Sequence, residues 1–152
     1  MTFHKNLVMI LDHVFNNSYS ALMARKRQFN NKLVLQEAAR VFALSGYAGT
    51  SLDSLVSATG IQRGSIYQAY GSKAGLFCAT LEHGVESLRT CSYENTMLYV
   101  DLLIVAMWER TAQDAKAASL TKDAVKLLEG RLNTGIANVV GERVKTRANL
   151  NI

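Results

Sequence analysis

A chain of 152 residues with 49% hydrophobic and 19% charged content has room for one or two small packed units and the balance of a soluble globular protein. It contains no proline and few strand-like runs, which predicts an all-α fold. The formal charge of +5 is uneven: eight Lys/Arg stand against three Asp/Glu in residues 1–80 and nine against nine in residues 81–152, the footprint of a phosphate-binding module joined to a neutral one.

Residues 1–22 read as an N-terminal extension. Their apolar patch, Leu7 to Leu11, is interrupted by Asp12, too short to span a bilayer, and without the cleavage site of a secretory signal. Two readings stand, an extra helix packed on the domain or a segment translated from an upstream start; the second is preferred. The basic cluster Arg25, Lys26 and Arg27, with Lys32 nearby, either follows a DNA backbone or minor groove or is a solvated charge cluster.

Asn31 to Ser45 is predicted to be a helix with Val34, Ala38, Val41 and Phe42 on its buried face, ended by Gly46 and followed by Tyr47 as an anchor. Next comes TSLDSLVSATGIQRGSIYQAYGSK, Thr50 to Lys73. Leu52, Leu55, Val56 and Ala58 mark a short helix, opened by a Thr50–Asp53 capping box or by Ser51, and Gly60 is placed to end it in the left-handed conformation. A second short helix, Gln62 to Tyr70, turns Ile66 and Tyr70 inward and sets Arg63, Ser65, Tyr67 and Gln68 around its surface. This is a helix-turn-helix, whose second helix offers side chains to base edges while neighbouring groups hold phosphates. Gly64 leaves room for close approach, Ser72 is a candidate cap for the next helix, and Lys73 is placed to meet a phosphate.

With Phe42, Gly46-Tyr47, Thr50, Gly60, Gly64, Tyr67 and Tyr70-Gly71-Ser72-Lys73 in register, residues 25–82 resemble the N-terminal DNA-binding domain of the TetR/AcrR family of bacterial transcriptional regulators. The resemblance implies that Thr50, Gln62, Arg63, Gly64, Tyr67, Gln68 and Lys73 contact DNA, with Thr50, Tyr67 and Lys73 on phosphates and Gln62, Arg63 and Gln68 on base edges. Three positions depart from the family pattern: Gln62 where a capping serine is common, Ala69 where a polar residue often sits, and Gly75 where an acidic residue often opens the next helix. Readout accordingly leans on Arg63 and Gln68.

A helix from Ala74 to about Thr90 carries Phe77, Leu81, Val85 and Leu88 on one side. In the family it links head to body. CSYENT, residues 91–96, is expected to be a loop, and the apolar run from Met97 to Trp108 a buried helix, too short for a membrane. Its Met97, Val100, Ile104, Met107 and Trp108 are either ordinary core or the lining of a small-molecule pocket. Thr121 is expected to cap a last long helix with the stripe Val125, Leu128, Leu132, Ile136 and Val139; Gly130 and Gly135 weaken it, and the tail beyond Gly141 frays.

Cys78 and Cys91 read as cytosolic thiols, and with His4, His13 and His83 they make no metal-ligand spacing, so no metal and no cofactor are expected. No nucleophile–base pair, phosphate loop or paired-carboxylate site is present in the sequence, and no catalytic residue is assigned. The expected organisation is an extension at 1–22, a three-helix DNA-binding domain at 23–73 and a short helical regulatory and dimerisation domain at 74–152. The expected function is that of a sequence-specific repressor in the bacterial cytoplasm, on the nucleoid when bound. It would act as a homodimer on a palindromic double-stranded operator, with a small apolar ligand as candidate inducer. The alternative is a truncated interaction protein that heterodimerises with a full-length relative and modulates its DNA binding.

Overall fold

Helices make up all the regular structure among the residues that the computed structural model describes, 31–89, 93–131 and 135–149. The expectations for residues 1–22 and for Arg25, Lys26 and Arg27 lie outside them. Contacts divide the chain after Leu33, and Val34–Ile152 form one unit. Helix α1 occupies 31–49, past the Gly46 expected to end it, but its backbone turns left-handed there (φ +74°), and residues 46–50 form the turn that leads into α2. It is followed by α2 (Leu52–Thr59), α3 (Arg63–Tyr70), α4 (Lys73–Ser87), α5 (Tyr93–Glu109), α6 (Ala115–Glu129) and α7 (Ile136–Arg147).

The predicted apolar stripes are the ones that pack. Val34 of α1 is buried, and Ala38 and Phe42 of α1, Leu55 of α2, Ile66 of α3 and Leu76 and Phe77 of α4 are buried together. Burying each such large apolar side chain contributes roughly 1.5–3 kcal/mol. Phe77 meets Phe42 edge-on at 5.0 Å between ring centroids and Tyr47 at 5.2 Å, so Tyr47 anchors the turn as expected. The same core runs on through Leu81 and Leu88 into Val100, Leu102 and Leu103 of α5 and Leu128 of α6. Helix α4 packs against α3, α5 and α6, and α7 lies on α5 and α6. Among the described residues no helix is long and apolar enough to cross a membrane.

Several expectations are decided or corrected. Of the two caps left open for α2, Ser51 is the one found, in a box with Ser54, because the Thr50 hydroxyl turns back to the Gly46 carbonyl at 2.6 Å and is buried. Ala58 faces solvent, since Leu52, Leu55 and Val56 suffice to bury one side of so short a helix. Residues 93–96 open α5 rather than forming a loop; polar residues are at home in a first turn, whose amides have no partner within the helix. Asp114, not Thr121, caps α6: its carboxylate accepts from the amides of Lys116 (3.0 Å) and Ala117 (3.1 Å), and Thr121 is buried inside the helix. The predicted long helix is two, since α6 ends at Gly130 and Gly135 (φ +73°) opens α7, which then continues through the expected frayed tail to Arg147. What holds that tail is charge: Arg143 pairs with Asp101 of α5, and Arg147 donates to the Leu44 carbonyl of α1 at 3.1 Å.

Candidate nucleic-acid interface

Helices α2 and α4 fix the orientation of α3. Gly60 caps α2 in the left-handed conformation (φ +69°, ψ 6°), its amide donating to the Val56 carbonyl at 3.0 Å, so the chain turns there without a side-chain clash. Gly71 (φ +75°) does the same between α3 and α4, where the Ser72 hydroxyl accepts from the Gly75 amide at 3.0 Å. Gly75 itself has a steric reason: a Cβ there would lie 1.9 Å from the Tyr70 carbonyl oxygen, so an acidic residue at this position would push α4 off the end of α3.

Because Ile66 is buried and Tyr70 half-buried, the opposite face of α3 leaves Arg63, Gly64, Ser65, Tyr67 and Gln68 exposed together, with Gln62 exposed just before them. Tyr67 is 48% exposed, a large aromatic turned outward from a folded domain. Gln62 occupies the N-cap position without a side-chain capping bond, so its amide is not committed to the helix start. Arg63 Nη2 donates to Asp53 Oδ1 of α2 at 2.5 Å. Both members of that pair are largely exposed, and Asp53 pushes the arginine further into its charged form, chiefly through the hydrogen bond and then through charge attraction.

The two remaining predicted residues lie behind this row. Thr50 is 2% exposed, with its hydroxyl on the Gly46 carbonyl, so its side chain is spent on the turn. Lys73 Nζ donates to the carbonyls of Tyr47 (3.0 Å) and Thr50 (2.8 Å) and lies 4.5 Å from the Tyr47 ring centroid, bracing the loop rather than reaching outward. The predicted set therefore divides into an outward row on α3 and two internal supports. Sequence reasoning missed a third support, Glu109 at the end of α5, which accepts from the amides of Tyr47 (3.2 Å) and Ala48 (2.7 Å).

The five residues weighed as a ligand lining do not converge. Val100 is buried, Met97 and Ile104 are half-buried, and Met107 and Trp108 are exposed, Trp108 at 90%. A cavity of about 10 Å³ between α4, α5 and α6 is lined instead by Leu81, Gly84, Val85, Leu88, Tyr99, Leu102, Leu103 and Ala124. A wider open cleft of about 410 Å³ lies where α3 and α4 meet the start of α6, between Tyr70, Gly75, Cys78, Asp114 and Lys116. Cys78 is buried, its thiol 3.5 Å from the Asp114 carboxylate, and burial above all pushes its pKa up, which makes it a poor nucleophile.

Residues 34–80 match the family described as bacterial regulatory proteins, tetR family. Among curated proteins, the chain is 44% identical over 64 residues to an uncharacterized HTH-type transcriptional regulator, YezE, of Bacillus subtilis (strain 168). That alignment covers 42% of this chain and 33% of YezE. It is 36% identical over 62 residues to the HTH-type transcriptional repressor ComR of Escherichia coli (strain K12), covering 41% of this chain and 30% of ComR. The alignments thus span about a third of each relative's length. No solved structure matches the chain.

Proposed function

We propose that this chain, a member of the tetR family of bacterial regulatory proteins by its residues 34–80, is a sequence-specific DNA-binding transcriptional repressor that acts as a homodimer on a palindromic operator. The observation that carries the reading is the outward row on α3: Gln62, Arg63, Ser65, Tyr67 and Gln68 are exposed side by side on a helix anchored by Ile66. Such a row is what a recognition helix lays into a major groove, with arginine and glutamine as the side chains that pair bidentately with guanine and adenine. Arg63 and Gln68 read bases, and Tyr67 holds a phosphate. Arg25, Lys26 and Arg27 extend the contact along the backbone, as their charge suggests.

Residues 23–73 are the reading domain in this proposal and 74–152 the regulatory part. A second copy of the chain is the proposed partner of the latter, supported by the exposed Met107, Trp108 and Val144. The proposed inducer is small and apolar. Because the cavity among α4, α5 and α6 has the volume of about one water molecule, such a ligand enters by parting those helices. Bacterial cytoplasm is the proposed location.

Arg63→Ala tests the reading. On a duplex that the chain has selected from a random pool, it should cost about 1–3 kcal/mol of affinity and relax discrimination at one base position, measured by titration against single-substitution duplexes. Unchanged affinity and unchanged preference would remove α3 as the reading element.

A further inference from the structure

We propose that Glu109 is the positioning residue through which the body of the protein sets the geometry of the DNA-reading head; its effect on binding rests on the DNA-binding reading above. Glu109 is the last residue of α5, yet its two carboxylate oxygens accept from consecutive amides more than sixty positions earlier, Oε1 from Tyr47 at 3.2 Å and Oε2 from Ala48 at 2.7 Å. Consecutive amides that follow a left-handed residue form a concavity for an anion, and Gly46 supplies that residue. A Cβ at Gly46 would stand 2.6 Å from Glu109 Oε1, so a side chain there would displace the carboxylate from the two amides.

The other side of the same loop faces a cation. Lys73 donates to the carbonyls of Tyr47 and Thr50, so the amides of the turn point at a carboxylate and its carbonyls at an ammonium. The residue next to Glu109 adds a third tie. Arg110 lies 4.3 Å from the Tyr47 ring centroid and pairs at 2.9 Å with Asp114, the cap of α6, in a site where both side chains are mostly buried. The end of α5 and the start of α6 are thereby fixed to the turn that leads into α2, while Lys73, the first residue of α4, ties that turn to the end of α3. A shift of the α5 terminus therefore moves the start of α2 and the support of α3 together. None of these residues contacts DNA in the proposal; they set where the residues that do are held.

The test compares Glu109→Ala and Glu109→Gln with Asp101→Asn, which removes the carboxylate charge that pairs α5 with Arg143 of α7. Two quantities are measured on the full chain: hydrogen exchange of the Tyr47 and Ala48 amides, and affinity for the duplex selected by the unaltered chain. In Glu109→Ala both amides should exchange at least about tenfold faster while the Phe77 amide keeps its rate, and affinity should fall about tenfold. Glu109→Gln, which keeps a neutral acceptor, should fall between, and Asp101→Asn should match the unaltered chain in both. Unchanged exchange in Glu109→Ala overturns the proposal, as does unchanged affinity or an equal loss of affinity in Asp101→Asn. Should the unaltered chain select no duplex, the DNA-binding reading fails and with it the proposed effect on binding, while the exchange rates separately decide whether Glu109 holds the loop.

Discussion

Gly64 is where fold and function make different demands. It sits in the first turn of α3, and a Cβ built on it meets nothing within 4 Å. Glycine in a helix is less favourable than alanine by up to about 1 kcal/mol, and nothing inside the chain requires it at this position. The missing side chain makes room for something outside, which the proposed function identifies as DNA. Gly64→Ala should therefore raise the melting temperature slightly and weaken duplex binding. Equal binding by the two proteins would take residue 64 out of the interface. Gly60, Gly71 and Gly75 differ in kind: the first two need a left-handed backbone, and the third needs space beside the Tyr70 carbonyl. From the sequence, Gly60 was legible as a turn because it ends an apolar stripe. The Gly75 constraint was not, because it depends on how closely α4 approaches the end of α3.

At the scale of the element, the start of α6 is set by one carboxylate. Asp114 caps the helix and pairs with Arg110, and its pKa is held below the ordinary carboxylate value, first by the hydrogen bond from the Ala117 amide and next by that from Arg110. A pKa lower in the folded than in the unfolded state means that the contribution is complete above the unfolded value of about 4 and is lost as pH falls through the folded value. Asp114→Ala should cost about 1 kcal/mol near neutral pH, and the gap from the unaltered chain should close in acid. Denaturant unfolding at about pH 7 and about pH 3 measures it, and a gap independent of pH would contradict the assignment. This cap escaped the sequence reading because the positions that α6 buries before Leu128 are Ala117, Thr121 and Ala124, which leave no apolar stripe to mark the start. The division between α6 and α7 was visible only as two glycines, Gly130 and Gly135. Inside a continuous stripe these fit a break or a close helix contact equally well.

Across the whole molecule, α4 gives head and body one core: Leu76 and Phe77 pack with α1 and α3, and Leu81 and Leu88 continue among α5 and α6. The head was legible because its signals are local, with turn glycines, caps and apolar spacing all agreeing within a few dozen residues. The tie between head and body was not, because Glu109 and Tyr47 are charged and polar partners far apart in sequence, and such pairs leave no periodic trace. The outward row of α3 was legible for the same local reason, whereas the inward turn of Lys73 and Thr50 depends on the loop between α1 and α2. The central claim, that this surface reads DNA, is tested most directly by titrating the purified chain against its selected duplex and a scrambled one over a range of salt concentrations. A reading head predicts tighter binding to the selected duplex and a log affinity that falls with log salt by roughly 0.9 for each phosphate neutralised. Equal affinity for both duplexes, or affinity indifferent to salt, would contradict it.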